Sequence, residues 1–171
     1  MFDLRSLRLS AGEQHRQRLP VTIAEFTVGG VPYAAVPPVV DAAFAVTRLR
    51  NGWVFDEKFG VEVHGACHRC LEEAVVELDI VAQEFHTLDP ELAKDEDMTS
   101  PYLSDDDQLD TDRMASDAVI LAMPVQVLCR IDCAGLCPRC GSNLNEGPCN
   151  CPPEEPDARW SKLSELLEPD P

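Results

Sequence analysis

Eight cysteines lie in this chain of 171 residues, at spacings typical of metal ligands. Cys67 and Cys70 form one pair, in the run Cys-His-Arg-Cys. The other six are confined to the stretch 129–151: Cys129, Cys133, Cys137, Cys140, Cys149 and Cys151. Because one tetrahedral zinc ion takes four thiolates, eight cysteines are enough for two structural zinc ions. The pattern therefore predicts a protein whose fold is stabilised by bound metal ions, rather than a redox enzyme or a secreted disulfide scaffold.

The compact set of ligands is Cys137, Cys140, Cys149 and Cys151. Cys137-Pro-Arg-Cys140 followed by Gly141 predicts a zinc-knuckle turn, because glycine permits the left-handed backbone that lets amides point at the sulfurs. Cys149 and Cys151 return to this turn after a loop that contains Asn143, Asn145 and Gly147. We expect this set to form a self-sufficient structural zinc site.

The remaining four cysteines, Cys67, Cys70, Cys129 and Cys133, would form a second site that joins two distant parts of the chain. His68 is an alternative ligand. A thioredoxin-like motif would need a strand–helix setting, whereas this Cys-x-x-Cys lies between two predicted strands. An iron–sulfur cluster also takes four cysteines, and the sequence leaves that alternative open.

Composition narrows the class of partner and the compartment. The formal net charge is −17, which repels nucleic-acid phosphates globally and favours association with basic proteins. The first ten residues lack the apolar core of a signal peptide, and no apolar run approaches the length of a membrane span. We therefore expect a cytoplasmic protein with reduced thiols and no membrane partner.

No catalytic constellation is visible in the sequence. His15, His64, His68 and His86 are scattered, and a hydrolytic zinc site usually mixes ligand types and keeps one position open. There is also no glycine-rich phosphate loop. We expect no enzymatic activity and no small-molecule substrate.

The sequence pattern predicts an α+β fold. Valine-rich runs at 39–49, 53–64 and 74–85 indicate strands, and Asn51-Gly52 is a strong hairpin signal between the first two. A helix is predicted from Asp110, which caps it, to Met123, since Pro124 stops it; Ala115, Ala118, Val119 and Ala122 share a face. We expect an antiparallel β-meander core with this helix packed on it and a cysteine-rich zinc-binding C-terminal module.

Three regions follow from this interpretation. The α+β body covers 1–128 and includes a mobile acidic loop at 84–112, where eleven acidic residues face one lysine. The zinc module covers 129–151. The tail, 152–171, is expected to contain a short amphipathic helix, on which four apolar residues lie at helical spacing: Trp160, Leu163, Leu166 and Leu167.

Four runs of the chain resemble the YceD family, whose members are described as large ribosomal RNA subunit accumulation proteins. They are Cys67-His-Arg-Cys70-Leu-Glu, Met123-Pro-Val-Gln-Val-Leu-Cys129, Cys133-Ala-Gly-Leu-Cys137-Pro-Arg-Cys140-Gly-Ser-Asn-Leu-Asn145 and Asp157-Ala-Arg-Trp160-Ser-Lys-Leu163. The resemblance implies a bacterial or organellar factor needed for normal levels of 23S ribosomal RNA. It names a pathway and supplies no reaction.

Three functional hypotheses follow. The first is a non-enzymatic factor in large-subunit biogenesis that binds a basic ribosomal protein or the precursor particle, with Asp105, Asp106 and Asp107 as a phosphate-like surface. The second is direct binding of 23S ribosomal RNA through the arginine-bearing N-terminus and four residues of the cysteine-rich region: Arg130, Arg139, Asn143 and Asn145. The third, an RNA-maturation enzyme, lacks an acid–base constellation.

Overall fold

The computed structural model describes residues 1–152 and divides the chain into two compact units. The first is Met1–Cys133, and the second begins at Ala134. The amphipathic helix expected around Trp160 lies outside the described residues. In the described part of the chain, no helix has both the length and the apolar character that crossing a membrane requires.

The first unit is built on β-strands and one α-helix, α1 (Thr111–Ala122). The strands are β1 (Phe2–Asp3), β2 (Gln14–Thr22), β3 (Phe26–Val28), β4 (Val31–Ala35), β5 (Val39–Leu49), β6 (Gly52–Ala66), β7 (Glu73–Thr87) and β8 (Gln108–Leu109). The predicted strands at 39–49, 53–64 and 74–85 correspond to β5, β6 and β7. Sequence alone located them because valine-rich alternation matches the two-residue period of a strand.

The six-stranded sheet is antiparallel and runs in the order β2-β5-β6-β4-β3, with β7 on the other edge of β6. β6 has 15 residues and pairs with β7 along its whole length. Its opposite edge pairs with β5 near its start and with β4 near its end. The antiparallel core is as predicted, but β2 and β4 pair with strands distant in sequence, so only β5, β6 and β7 follow a meander.

Helix α1 begins after Asp110, whose carboxylate accepts a hydrogen bond from the Arg113 amide, and it ends at Ala122, two residues before Pro124. The helix packs on one face of the sheet through Met114, Ala115 and Val119, which are buried. It therefore forms as predicted and is the one α-helix among the described residues. The predicted apolar face extends too far, since Ala122 is exposed where the helix ends.

The acidic stretch 84–112 is more ordered than the loop we expected. It contains the end of β7, two 3-10 turns (Leu92–Lys94 and Glu96–Met98), β8 and the start of α1. β8 pairs with β1, and Leu109 is fully buried in the same cluster as Phe44 and Phe55. Isolated apolar residues hold the segment against the core. The sequence pattern did not reveal them, because acidic residues surround them.

Candidate metal centres

The turn between β6 and β7 holds the first cysteine pair. The Cys67 amide donates to the Glu72 carbonyl, and the Leu71 amide donates to the Cys67 carbonyl. Leu71 has φ of +64°, the left-handed conformation that such a knuckle requires and that glycine usually supplies. The Arg69 amide points at the Cys67 sulfur, 3.4 Å away. The turn therefore directs both sulfurs to one side, as the sequence spacing predicted.

The segment that follows α1 brings the second pair to this turn. Val127 is fully buried, and its carbonyl accepts a hydrogen bond from the His68 amide at 2.9 Å. The Arg69 guanidinium donates to the Cys133 carbonyl at 3.0 Å. These contacts place the Cys67 and Cys133 sulfurs 3.8 Å apart and those of Cys70 and Cys129 3.6 Å apart. Arg69 is thus a positioning residue that the sequence analysis missed.

The second unit holds the other four cysteines on its own turn. The Cys137 amide donates to the Ser142 carbonyl, and the Gly141 amide donates to the Cys137 carbonyl. Gly141 has φ of +73°, so it occupies the position that Leu71 occupies in the first knuckle. The Cys149 sulfur lies 3.4 Å from that of Cys137. The two knuckles therefore have the same backbone design, although only one uses glycine.

Asn143 and Asn145 brace this second unit. The Asn143 side-chain oxygen accepts hydrogen bonds from both the amide and the side-chain nitrogen of Asn145. The Asn145 side-chain oxygen accepts from the Ala134 amide at 2.8 Å. Both side chains therefore help to hold the loop between the cysteines, and their contact with RNA stays a prediction.

Both cysteine sets have the geometry of a four-sulfur metal site. In each set the four sulfurs lie within 4.8 Å of one another. A tetrahedral zinc ion with bonds of about 2.3 Å places its sulfurs about 3.8 Å apart, close to the pair distances above. A disulfide requires about 2.05 Å, and all eight cysteines are free thiols. The residues therefore fit zinc.

The electrostatics of the sulfurs also favour a cation. Burial raises the pKa of Cys67, but hydrogen bonds from the backbone of Cys129, Cys70 and Arg69 outweigh it and lower the pKa to about 6. Hydrogen bonds from the side chain and backbone of Ser142 lower the pKa of Cys140 to about 6. One thiol in each set therefore ionises readily without a metal.

Another thiol in each set resists ionisation. Desolvation and hydrogen bonding with the neighbouring sulfurs raise the pKa of Cys129 to about 12. Hydrogen bonding with Cys140, together with desolvation, raises the pKa of Cys151 to about 12. Four thiolates at these distances repel one another, so full ionisation of either set requires a positive ion between the sulfurs.

The remaining candidate residues lie on the surface of their own units. Asp105 and Asp106 are exposed in a tight turn that joins Ser104 to Gln108, and Asp107 is half-buried with φ of +56°. In the first unit, Arg130 forms an ion pair with Asp132 at 3.3 Å. In the second unit, Arg139 is exposed.

Comparison with known proteins gives one family and a small group of relatives. The profile of a family described as "Large ribosomal RNA subunit accumulation protein YceD" matches residues 56–167. Uncharacterized proteins of Mycobacterium tuberculosis (strain H37Rv) and Mycobacterium bovis are 35% identical to the chain over 134 residues. That alignment covers 77% of this chain and 64% of each relative.

A plant protein shares a shorter stretch. An Arabidopsis thaliana protein named "Large ribosomal RNA subunit accumulation protein YCED homolog 1, chloroplastic" is 34% identical over 61 residues, which is 36% of this chain and 19% of that protein. No solved structure matches the chain.

Proposed function

This chain belongs to the YceD family, and on that premise we propose that it is a non-enzymatic factor in the accumulation of large-subunit ribosomal RNA. It acts in the cytoplasm by binding a basic ribosomal protein, alone or within the precursor particle. One structural zinc ion joins the β6–β7 turn to the segment that follows α1, and a second holds the loop between Cys137 and Cys151. The family profile supports the pathway, because it covers β7, α1 and both cysteine sets.

The metal role is structural because each set supplies four sulfurs to one ion. A catalytic zinc keeps one position for water or substrate, and four thiolates leave none. Quartets of this kind instead contribute binding free energy to folding. The zinc ions therefore position surfaces and perform no reaction.

The observation that best supports a basic protein partner lies on the open face of the sheet. Glu62 of β6 is directly opposite Glu77 of β7, and both side chains are exposed. Asp79, two residues along β7, is exposed on the same face. Like charges in directly opposed cross-strand positions are destabilising. His64 lies 3.8 Å from the Glu62 carboxylate, whereas Glu77 and Asp79 form no ion pair among the described residues, so this face favours a cationic partner that compensates the repulsion.

A second candidate function, direct contact with ribosomal RNA, is favoured by a different observation: two cations on β2 and β6 lie beside a groove and have no described carboxylate partner. Contact through this groove does not require the engaged side chains of Asn143 and Asn145.

The test is an affinity purification of the tagged full chain from growing cells, divided into RNase-treated and untreated halves. We expect a basic ribosomal protein to remain bound after RNase treatment. The combined substitutions Glu62→Gln, Glu77→Gln and Asp79→Asn should reduce its recovery several-fold, because charge complementarity is lost.

The matched control carries Glu25→Gln, Glu91→Gln and Glu146→Gln, which change the net charge equally at exposed positions elsewhere. It should recover the partner as the unmodified chain does. If every ribosomal protein is lost with the RNA, the protein-binding function is wrong. If the two triple variants behave alike, the acidic sheet face is not the binding surface.

A further inference from the structure

A groove of about 580 Å³ crosses the open face of the sheet over β2, β5 and β6. Ala43 and Ala45 of β5 lie along its middle, and Arg16, Arg18 and Lys58 line its two sides. The aromatic ring near it, Phe44, is buried in the core on the other face. The groove is thus a cationic channel over small residues, in a chain whose net charge is −17.

The strand register creates the channel. Arg18, Ala43 and Lys58 form one row across β2, β5 and β6, and Arg16 lies in the next row, opposite Ala45. Neighbouring strands are about 4.8 Å apart, so the backbones that carry Arg18 and Lys58 are roughly 10 Å apart. Because alanine has only a methyl group, the space above β5 stays open between long cationic side chains.

Two of these cations are available for a ligand. Arg18 is committed to Asp41, with which it forms hydrogen bonds of 2.6 and 2.9 Å to the carboxylate and the carbonyl. Among the residues that the structure describes, neither Arg16 nor Lys58 forms an ion pair. The Arg16 Nε donates a hydrogen bond to the neutral side chain of Gln14, so its charge has no carboxylate partner.

One carboxylate, that of Asp56, also lines the groove. It accepts a hydrogen bond from Gln83 on β7 at 2.7 Å. Asp56 lies directly opposite Ala45, in the same row as Arg16, and is held by the strand on the far side from β5. Three cations and one carboxylate therefore line the groove, which leaves it an excess of positive charge.

We propose that this groove binds the phosphodiester backbone of RNA, with Arg16 and Lys58 each contacting a phosphate. Guanidinium and ammonium groups are the usual donors to phosphate oxygens. Among the described residues that line the groove, the aromatic one, Phe44, is buried and cannot stack on a base, so recognition is of the backbone and independent of sequence. The choice of RNA over an acidic peptide rests on the proposed role in ribosomal RNA accumulation.

The site goes beyond what the family profile covers. The profile match begins at residue 56, whereas β2 and β5, which carry Arg16 and the alanines, precede it. The groove also lies on the same open sheet face as Glu62 and Glu77, which form the acidic surface. One face of the sheet thus offers a cationic channel and a separate acidic patch to two ligands of opposite charge.

The experiment measures fluorescence anisotropy of a labelled single-stranded oligouridylate of about 16 nucleotides with the metal-loaded full chain. Combining Arg16→Gln with Lys58→Gln should raise the Kd about tenfold or more. It should also make the slope of log K against log salt shallower by about 1.4, since each lost phosphate contact on a single strand contributes about 0.7. Ala43→Leu, which fills the channel without changing charge, should weaken binding as well.

The matched control combines Arg50→Gln with Lys94→Gln, two exposed cations outside the groove, and should retain the original Kd. If both double variants lost RNA affinity equally, the effect would be due to net charge alone, and the proposed site would be wrong. Displacement of the RNA by polyglutamate at the same charge concentration would overturn the assignment to RNA. The protein partner retained after RNase treatment is a separate readout, so failure of the groove and failure of the protein-binding function are distinguishable.

Discussion

Glu57 is a carboxylic acid in a fully buried position. It lies in β6 on the buried face, opposite Phe44 of β5 and Ala82 of β7. Its side chain is fully buried, and neither carboxylate oxygen has a hydrogen-bond partner among the described residues. Burial, with a smaller contribution from the Asp112 carboxylate, raises the pKa of Glu57 from 4.5 to about 8. The folded protein therefore holds this carboxyl group protonated at neutral pH.

This burial predicts a pH-dependent stability. Between about pH 4.5 and pH 8 the unfolded chain loses the Glu57 proton while the folded chain keeps it, so the contribution of Glu57 to stability falls as pH rises through this window. Glu57→Gln removes the titration. We expect the difference in Tm between variant and unmodified protein, both metal-loaded, to shift in favour of the variant from pH 5 to pH 8. A pH-independent difference would show that Glu57 ionises in the folded state.

The cysteines make a prediction about metal content. The unmodified chain should bind two zinc ions per molecule, measured by mass spectrometry of the metals. Cys129→Ser and Cys140→Ser change one exposed ligand in each set and should each leave one firmly bound ion, while the double variant should leave none. Finding iron together with acid-labile sulfide would show that the cysteines hold an iron–sulfur cluster instead of zinc. Loss of both ions in either single variant would contradict two independent sites.

At the scale of elements, the end of β6 positions the first knuckle through a close contact with β4. The Tyr33 ring lies directly over Gly65, its neighbour in register. Its hydroxyl donates to the Ala66 carbonyl at 3.0 Å, and its ring contacts that of His68 edge-on. Gly65 therefore allows an aromatic ring of the neighbouring strand to support the turn that carries Cys67.

A side chain at position 65 should displace this ring. A Cβ atom there would overlap the Tyr33 ring, so we expect Gly65→Ala to destabilise the fold by about 1–3 kcal/mol, the usual cost of overpacking. Zinc release from the first set should also accelerate, measured by transfer to a chromogenic chelator. Gly60→Ala is the control, because a Cβ atom there meets only ordinary contacts. Equal metal release in the two variants would contradict the coupling.

The turn that carries Asp105, Asp106 and Asp107 is held by its backbone, which allows its charge to be tested alone. The Asp107 amide donates to the Ser104 carbonyl, and the Asp107 carbonyl accepts from the Leu4 amide. Changing all three aspartates to asparagine preserves these bonds, and asparagine tolerates positive φ. We expect weaker binding of a basic protein partner and unchanged or tighter RNA binding. A parallel loss of both ligands would indicate damage to the fold.

At the scale of the whole molecule, the two cysteine sets support different kinds of structure. The first lies at the end of a long sheet with its own apolar core. In the described part of the second unit, the regular backbone pairing consists of one bridge between Leu136 and Asn143. The second unit should therefore depend on its metal far more than the first does.

Metal removal should expose this difference. After treatment with a strong chelator under reducing conditions, we expect the far-ultraviolet circular dichroism of the sheet to persist. Amide protons of the second unit, such as that of Leu144, which donates to Gly135, should lose protection from hydrogen exchange. Protection that survives complete metal removal would contradict a structural role. Simultaneous loss of the sheet signal would mean that both units depend equally on metal.

The sequence by itself determined the local features: the strands β5, β6 and β7, helix α1 with its Asp110 cap, and the two knuckle turns. These depend on short-range periodicity, capping and cysteine spacing, which can be recognised within a short stretch of sequence. Spacing also predicted the compact set Cys137, Cys140, Cys149 and Cys151, but only the structure shows that Cys67 and Cys70 meet Cys129 and Cys133.

Only the tertiary structure decided which distant residues meet. Pairing of β2 with β5 sets Arg16 across from Ala45, and pairing of β4 with β6 sets Tyr33 on Gly65. Burial of Glu57 follows from its place on the face that α1 covers. None of these has a local signal, because a strand's partner and the face of the sheet that a helix covers depend on contacts between residues far apart in sequence.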